Sequence, residues 1–151
     1  MLKILMNYYV SFITVPIMLD EAFEYLEERK KREPSFTYEI IVVDDGSKDS
    51  TTKVALKYVE KHGVELIRVL TLTKNRGKGG AVRMGMFSSR GKQLLMVDAD
   101  GATRFSDLTK VQNGLHKIIN GKVCLILLIK YRRSGCWASH LIQLTVVGFC
   151  R

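Results

Sequence analysis

The sequence predicts an α/β fold built on a mostly parallel sheet. Three observations carry that expectation. Short aliphatic runs alternate with amphipathic stretches of helix length from Asp20 to Ile129, and strands joined through single helices imply right-handed βαβ units. The runs "IIVV" and "LLMV" are apolar without a break, as strands buried on both faces are. Each ends in two aspartates and a glycine, "DDG" and "DADG". Ligands in such sheets lie beyond the carboxyl ends of the strands, so both acid pairs share one rim.

Composition sets the bounds. The chain has 151 residues, 46% hydrophobic and 26% charged, which excludes a disordered class and is enough for one domain with a core. Lys and Arg number 24 against 15 Asp and Glu, a net charge of +9. That balance favours anionic partners without choosing among nucleotide, nucleic acid and acidic lipid. Cys124, Cys136 and Cys150 are odd in number, contain no CxxC and offer only a Cys136–His140 pair. This is too little for a zinc site and reads as reduced thiols of a cytosol-facing protein.

The elements follow in order. The opening "MLKILMNYYVSFITVPIML" is apolar but broken by Asn7, Ser11, Thr14 and Pro16. Ile4 to Leu19 is shorter than the roughly 20 residues a bilayer span needs. With one positive charge before it and no small-residue cleavage site, a buried strand or a membrane-surface anchor fits better than a signal peptide. Asp20 to Arg32 reads as a helix with Leu19, Phe23 and Leu26 on one face, acids early and bases late, ended by Glu33-Pro34. Tyr38 to Val43 is a buried strand. Ser50 to His62 is a helix capped by Asp49 or Ser50, with Val54, Tyr58 and Val59 inward and Gly63 as its stop. Leu66 to Leu72 is a strand, Gly79 to Arg90 a helix closed by Gly91, and Lys92 to Val97 a strand. Ser106 caps a helix carrying Leu108, Val111, Leu115 and Ile118, and Val123 to Ile129 is a last apolar run. Beyond about Asn120 there is no acidic residue and no clear alternation of elements. The expected organisation is an apolar segment at 1–14, an α/β domain at 15–120 and a basic, Cys-containing tail at 121–151.

Three stretches carry chemistry. In "VDADG", Asp98 and Asp100 stand two apart at a strand end with Gly101 to bend the chain. Paired carboxylates suit Mg²⁺ or Mn²⁺, hard ions that keep positions open for substrate phosphates. An ordinary solvated acidic turn is the competing reading. In "VVDDGSKDST", Asp44, Asp45, Gly46 and Ser47 join a strand end to a helix start. Carboxylates there suit the N–H edge of a base or the hydroxyls of a ribose, although Asp-Gly also makes a plain turn. "TKNRGKGGAVRMG" brings Lys74, Arg76, Gly77, Lys78 and Gly79 to the start of a helix, where amides and bases suit a diphosphate. It is not a P-loop, and Val82 stands where a dinucleotide fingerprint needs its third glycine. No aromatics interleave with its bases, which speaks against nucleic acid. Together these are the parts that hold a nucleoside diphosphate with its metal.

"EIIVVDDGSKDSTTKVA", "LTKNRGKGGAVRMGMFSSRG" and "LLMVDADGATRFSDL" resemble family 2 glycosyltransferases of the Rossmann-like GT-A fold, densely from Val15 to Gly114. The resemblance is to the branch that moves glucose from UDP-glucose to dolichyl phosphate in N-glycan precursor synthesis. It implies an inverting displacement at the cytosolic face of the endoplasmic reticulum membrane, with the membrane surface as a partner. Asp44 and Asp45, with Gly46 and Ser47, match the uridine-contacting strand end. Lys74, Gly77, Lys78 and Gly79 match the loop beside the nucleotide. Asp98 and Asp100 match the metal-holding DxD, with Asp98 also against the nucleotide sugar. No catalytic base is assigned. A phosphate acceptor, with a second pKa of about 6, is already ionised near neutral pH.

The departures carry their own expectations. The family's first strand ends in a Pro-x-Tyr-Asn-Glu stretch that grips uracil, which "YYVSFITVPIMLDE" lacks. "SFITVP" is the stretch expected to supply a strand there without those contacts, and loss of the family's strand would leave a neighbour's edge bare. After Asn120 the family's acceptor side and membrane-associated helices are not recognisable. The chain therefore reads as a truncated or alternative form, with a nucleotide-sugar domain incomplete at both ends. Two other readings stand beside it. A receiver-type signalling module would use "IIVVDD" as an acidic Mg²⁺-binding pocket with Lys130, but its acid pair should close the first strand. A metal-dependent phosphatase would use "DADGAT", but wants Thr or Val at Ala102.

Overall fold

The computed structural model describes residues 2–8, 12–89, 93–98, 104–118, 125–129 and 145–148. Among these residues lies a six-stranded sheet in the order β3-β2-β1-β4-β5-β6. Its strands are β1 Leu2–Tyr8, β2 Tyr38–Asp44, β3 Ile67–Thr71, β4 Gln93–Asp98, β5 Leu125–Ile129 and β6 Thr145–Gly148. The first five are parallel, and β6 joins β5 antiparallel. The helices are α1 Thr14–Arg32, α2 Thr51–His62, α3 Gly77–Ser88 and α4 Leu108–Ile118.

The opening segment holds a strand, but at Leu2–Tyr8 and not in "SFITVP", whose Thr14, Val15 and Pro16 begin α1. Leu2–Tyr8 lies at the centre of the sheet, pairing with β2 from Leu2↔Tyr38 to Tyr8↔Asp44 and with β4 from Leu2↔Gln93 to Asn7↔Asp98. The expected bare edge therefore does not exist. "LKILMNY" is as apolar as the strands it joins and long enough to register with both.

The two faces of the sheet bury different sets, as the period of two demands. Ile40, Val42, Leu95 and Val97 pack beneath Val15, Met18, Leu19, Ala22, Phe23 and Leu26 of α1 and beneath Phe105, Leu108 and Val111. Ile41 and Val43 pack with Leu72, Ala81 and Met84 under α3. Burying a side chain such as Leu19 or Ile40, both fully enclosed, contributes about 1.5–3 kcal/mol.

Several boundaries move for local reasons. α1 starts at Thr14 rather than Asp20. Pro16 falls in its first turn, where the missing N–H has no intrahelical partner to lose. At α2 the Ser50 side chain makes no cap bond, and Asp49 Oδ1 instead accepts the Thr51 N–H at 3.0 Å. Gly63, at φ +87°, ends that helix as expected. α3 begins at Gly77, two residues before the expected start, and its last residue is Ser88; Gly91 lies outside the described residues. Ser106 sits inside a short 3₁₀ turn, Phe105–Asp107, that leads into α4. The buried anchor there is Phe105, 1% exposed. Beyond Asn120, β5 and β6 extend the sheet where the sequence offers little alternation.

Candidate nucleotide-binding rim

β2 ends at Asp44, and the chain must turn at once toward α2. Asp44 is fully buried. Its Oδ1 accepts the Ser47 N–H at 2.8 Å, and its Oδ2 accepts the Thr52 hydroxyl. Asp44 thus holds the turn, and Ser47 serves it through its amide. Gly46 has φ +83°, and a Cβ there would lie 3.5 Å from the Leu72 carbonyl and 3.6 Å from the Asn75 amide. Only glycine takes this conformation without strain while the next loop packs so close.

Asp45 does something different. Its Oδ1 accepts the Arg76 N–H at 2.7 Å, which ties the tip of β2 to the start of α3. The residue is 5% exposed, and its Oδ2 is buried with no hydrogen-bond partner among the described residues. A buried carboxylate oxygen left unpaired costs free energy and calls for a ligand donor.

α3 supplies the basic wall. The first four amides of a helix lack intrahelical partners. Those of Arg76 and Gly77 are taken by Asp45 and by Asn75 Oδ1, the latter at 3.0 Å. Lys78 and Gly79 follow at the positive end of the helix dipole. Lys74, Arg76, Lys78 and Gly79 are all exposed. Gly77 takes φ +69°, and a Cβ on Gly79 would meet nothing within 4 Å. Gly80, absent from the residues the sequence singles out, is more tightly constrained: a Cβ there would stand 2.5 Å from Arg76 Cβ. The glycine doublet was its signal, since a second glycine inside a helix start costs about 1 kcal/mol relative to alanine.

Asp98 is the last residue of β4. It pairs with Asn7, which pairs in turn with Val43. Two strand spacings, roughly 10 Å, therefore separate it from the end of β2. It follows Leu94 and Met96 at intervals of two along the strand. It also stands at the β1/β4 junction, where the strand order reverses and doubly wound sheets bind nucleotides. Asp100 and Gly101 lie outside the described residues, as do Cys124, Cys136, Cys150, Ala102 and Lys130. The donor chemistry of the Asp98–Asp100 pair, all carboxylate oxygen, fits Mg²⁺ or Mn²⁺. Among the described residues alone, no group of three or more His, Cys, Asp or Glu side chains gathers to hold a metal.

This strand order defines an α/β protein of the GT-A type. A solved structure shares the fold: mannosyltransferase PcManGT from Pyrobaculum calidifontis, in complex with GDP-Man and Mn²⁺, is 21% identical with a TM-score of 0.56, over 66% of this chain and 27% of that one. Residues 16–140 match glycosyl transferase family 2, and the chain belongs to that family. It is 64% identical over 104 residues to dolichyl-phosphate beta-glucosyltransferase of Homo sapiens, covering 69% of this chain and 32% of the relative. The protein of the same name from Mus musculus is 63% identical over 101 residues, covering 67% and 31%. The chain thus spans about a third of the length of the curated relatives it matches. The receiver-module alternative gains nothing from the topology, because β1 and α1 precede the strand that Asp44 ends.

Proposed function

We propose that this chain is the donor-binding part of an inverting glycosyltransferase that moves glucose from UDP-glucose to dolichyl phosphate. The observation that carries the reading is the junction of rim parts. Asp45 is bonded to the amide that starts α3, and Asp98 ends the strand across the switch point. The names of the relatives supply the sugar and the lipid. Asp45 Oδ2 would accept from the nucleoside, and Asp44 would keep the turn in shape behind it. Lys74, Arg76 and Lys78, with Gly79 at the start of α3, would face the diphosphate. Asp98 and Asp100 would hold a divalent ion, whose chemistry when bound is to neutralise charge on the departing diphosphate. The acceptor phosphate oxygen forms its bond to the anomeric carbon as the bond to UDP breaks. Being already ionised, it needs no side chain to remove a proton. The reaction belongs at the cytosolic face of the endoplasmic reticulum membrane, where the lipid acceptor resides. Among the described residues, no helix is long and apolar enough to cross a membrane.

Calorimetric titration of UDP-glucose with and without Mn²⁺ tests this. Wild type is expected to bind with metal dependence, and Asp98→Ala to lose that dependence while staying folded. A folded wild type that binds neither way would refute the reading.

A further inference from the structure

The two aspartates at the tip of β2 are identical neighbours, yet they hold different partners. Both carboxylate oxygens of fully buried Asp44 are taken, Oδ1 by the Ser47 N–H and Oδ2 by the Thr52 hydroxyl. The Asp44 carbonyl accepts the Leu72 N–H at 2.8 Å, which ties the same residue to the end of β3. Asp45 has one oxygen on the Arg76 N–H, and its other is buried without a partner among the described residues.

The two bonds on the Asp44 carboxylate differ in origin. The first comes from a backbone amide inside the turn and follows from the turn itself. The second comes from a side chain in the first turn of α2, eight residues along the chain, so the residue type at position 52 decides it. Thr51, the residue before it, is buried and makes no bond to Asp44. Valine matches threonine in shape and in helix propensity but lacks the hydroxyl. With valine at position 52, Asp44 Oδ2 becomes a buried oxygen without its donor, next to Asp45 Oδ2 in the same condition. Two adjacent carboxylates then compete for the Arg76 amide and for any donor a ligand brings. Thr52 removes that competition.

We propose that Thr52 is a positioning residue for the nucleoside end of the donor. By holding Asp44 in the turn, it leaves Asp45 Oδ2 as the acceptor offered to an N–H or O–H of the ligand. The proposal rests on the donor-binding reading above. It predicts that the influence of Thr52 falls on the nucleoside and spares the diphosphate, because the start of α3 is also held from its own side, by Asn75 Oδ1 on the Gly77 N–H at 3.0 Å.

The test uses the full chain, with Thr52→Val, Thr52→Ser and Thr51→Val titrated calorimetrically with UDP and with inorganic diphosphate, both in the presence of Mn²⁺. Thr52→Val is expected to bind UDP roughly tenfold more weakly, as for one lost hydrogen bond to a charged group, and to bind inorganic diphosphate as wild type does. Thr52→Ser, which keeps the hydroxyl, restores UDP affinity, and Thr51→Val leaves both affinities unchanged. The positioning role is overturned if Thr52→Val weakens UDP and diphosphate equally, if serine fails to rescue, or if Thr51→Val weakens UDP as much. Should Thr52→Val not fold, the wild-type Thr52 hydroxyl proton decides. Held on a buried carboxylate, it exchanges slowly enough to be seen by NMR, and a freely exchanging proton overturns the role. A folded wild type with a protected Thr52 hydroxyl that does not bind UDP overturns the donor-binding reading, and this role with it.

Discussion

Alanine at Gly80 and alanine at Gly79 should move stability in opposite directions. Both sites lie in the first turn of α3, where replacing glycine by alanine gains up to about 1 kcal/mol of helix propensity. At Gly79 nothing opposes that gain, since the new Cβ meets no atom within 4 Å. At Gly80 it arrives 2.5 Å from Arg76 Cβ, whereas carbon atoms rest at about 3.5–4.0 Å. Arg76 Cβ is fixed to the backbone, so relief requires the loop to move by about 1 Å. The same loop holds the 2.7 Å bond from the Arg76 N–H to buried Asp45. Losing a hydrogen bond to a charged group costs about 1.5–3 kcal/mol. The net expectation is a destabilisation of about 1–2 kcal/mol for Gly80→Ala and a gain of up to about 1 kcal/mol for Gly79→Ala. Urea unfolding of both variants at matched slope reads the difference, and Gly80→Ala should also bind UDP more weakly. Equal midpoints for the two variants would mean that the close approach at Gly80 constrains nothing, and the coupling between α3 and Asp45 would fall with it.

Two further outcomes concern the frame. Arg68 donates to the Glu39 carboxylate and, at 3.0 Å, to the Ser88 carbonyl, while Glu39 is 3% exposed. Arg68→Ala should cost about 3 kcal/mol by denaturant melt, because a buried carboxylate loses its cation, and adding Glu39→Leu should recover most of it. His62 stacks on Phe23 at 3.7 Å, and burial, with the charge of Lys61, holds its imidazole below the ordinary value. The unfolded chain therefore takes up that proton first. Stability is full above the unfolded value of about 6.5 and falls as pH drops below it. His62→Phe should flatten this part of the midpoint-against-pH curve, and an unchanged slope would place its origin elsewhere.

What was legible in the sequence is what periodicity and turn chemistry encode. "YEIIVVD" could only be a strand buried on both sides, and the face of α1 marked by Leu19, Phe23 and Leu26 is the face that packs. The rim was legible because glycine and aspartate cluster where strands stop. The division of labour between Asp44 and Asp45 was not, since adjacent identical residues differ only in which neighbours the turn brings to them. Phe105 was missed because a single aromatic before a 3₁₀ turn has no period. β1 was ambiguous because a seven-residue apolar run signals a strand or a membrane-surface anchor equally well, and only its partners decide. The polar contacts of Glu21, Tyr25 and Arg29 on α1 were hidden for the same reason: their partners, Phe105, Thr109 and Gln112, lie some eighty residues away.

The placement of β1 bears on how the chain is made. The pair β2–β3 and the trio β4–β5–β6 share no ladder with each other among the described residues; each meets the rest through Leu2–Tyr8. The keystone thus precedes its second neighbour by roughly ninety residues in the chain. Until β4 is made, one flank of this strand is open to any passing chain, and a chaperone that shields it would govern yield more than any contact made afterwards.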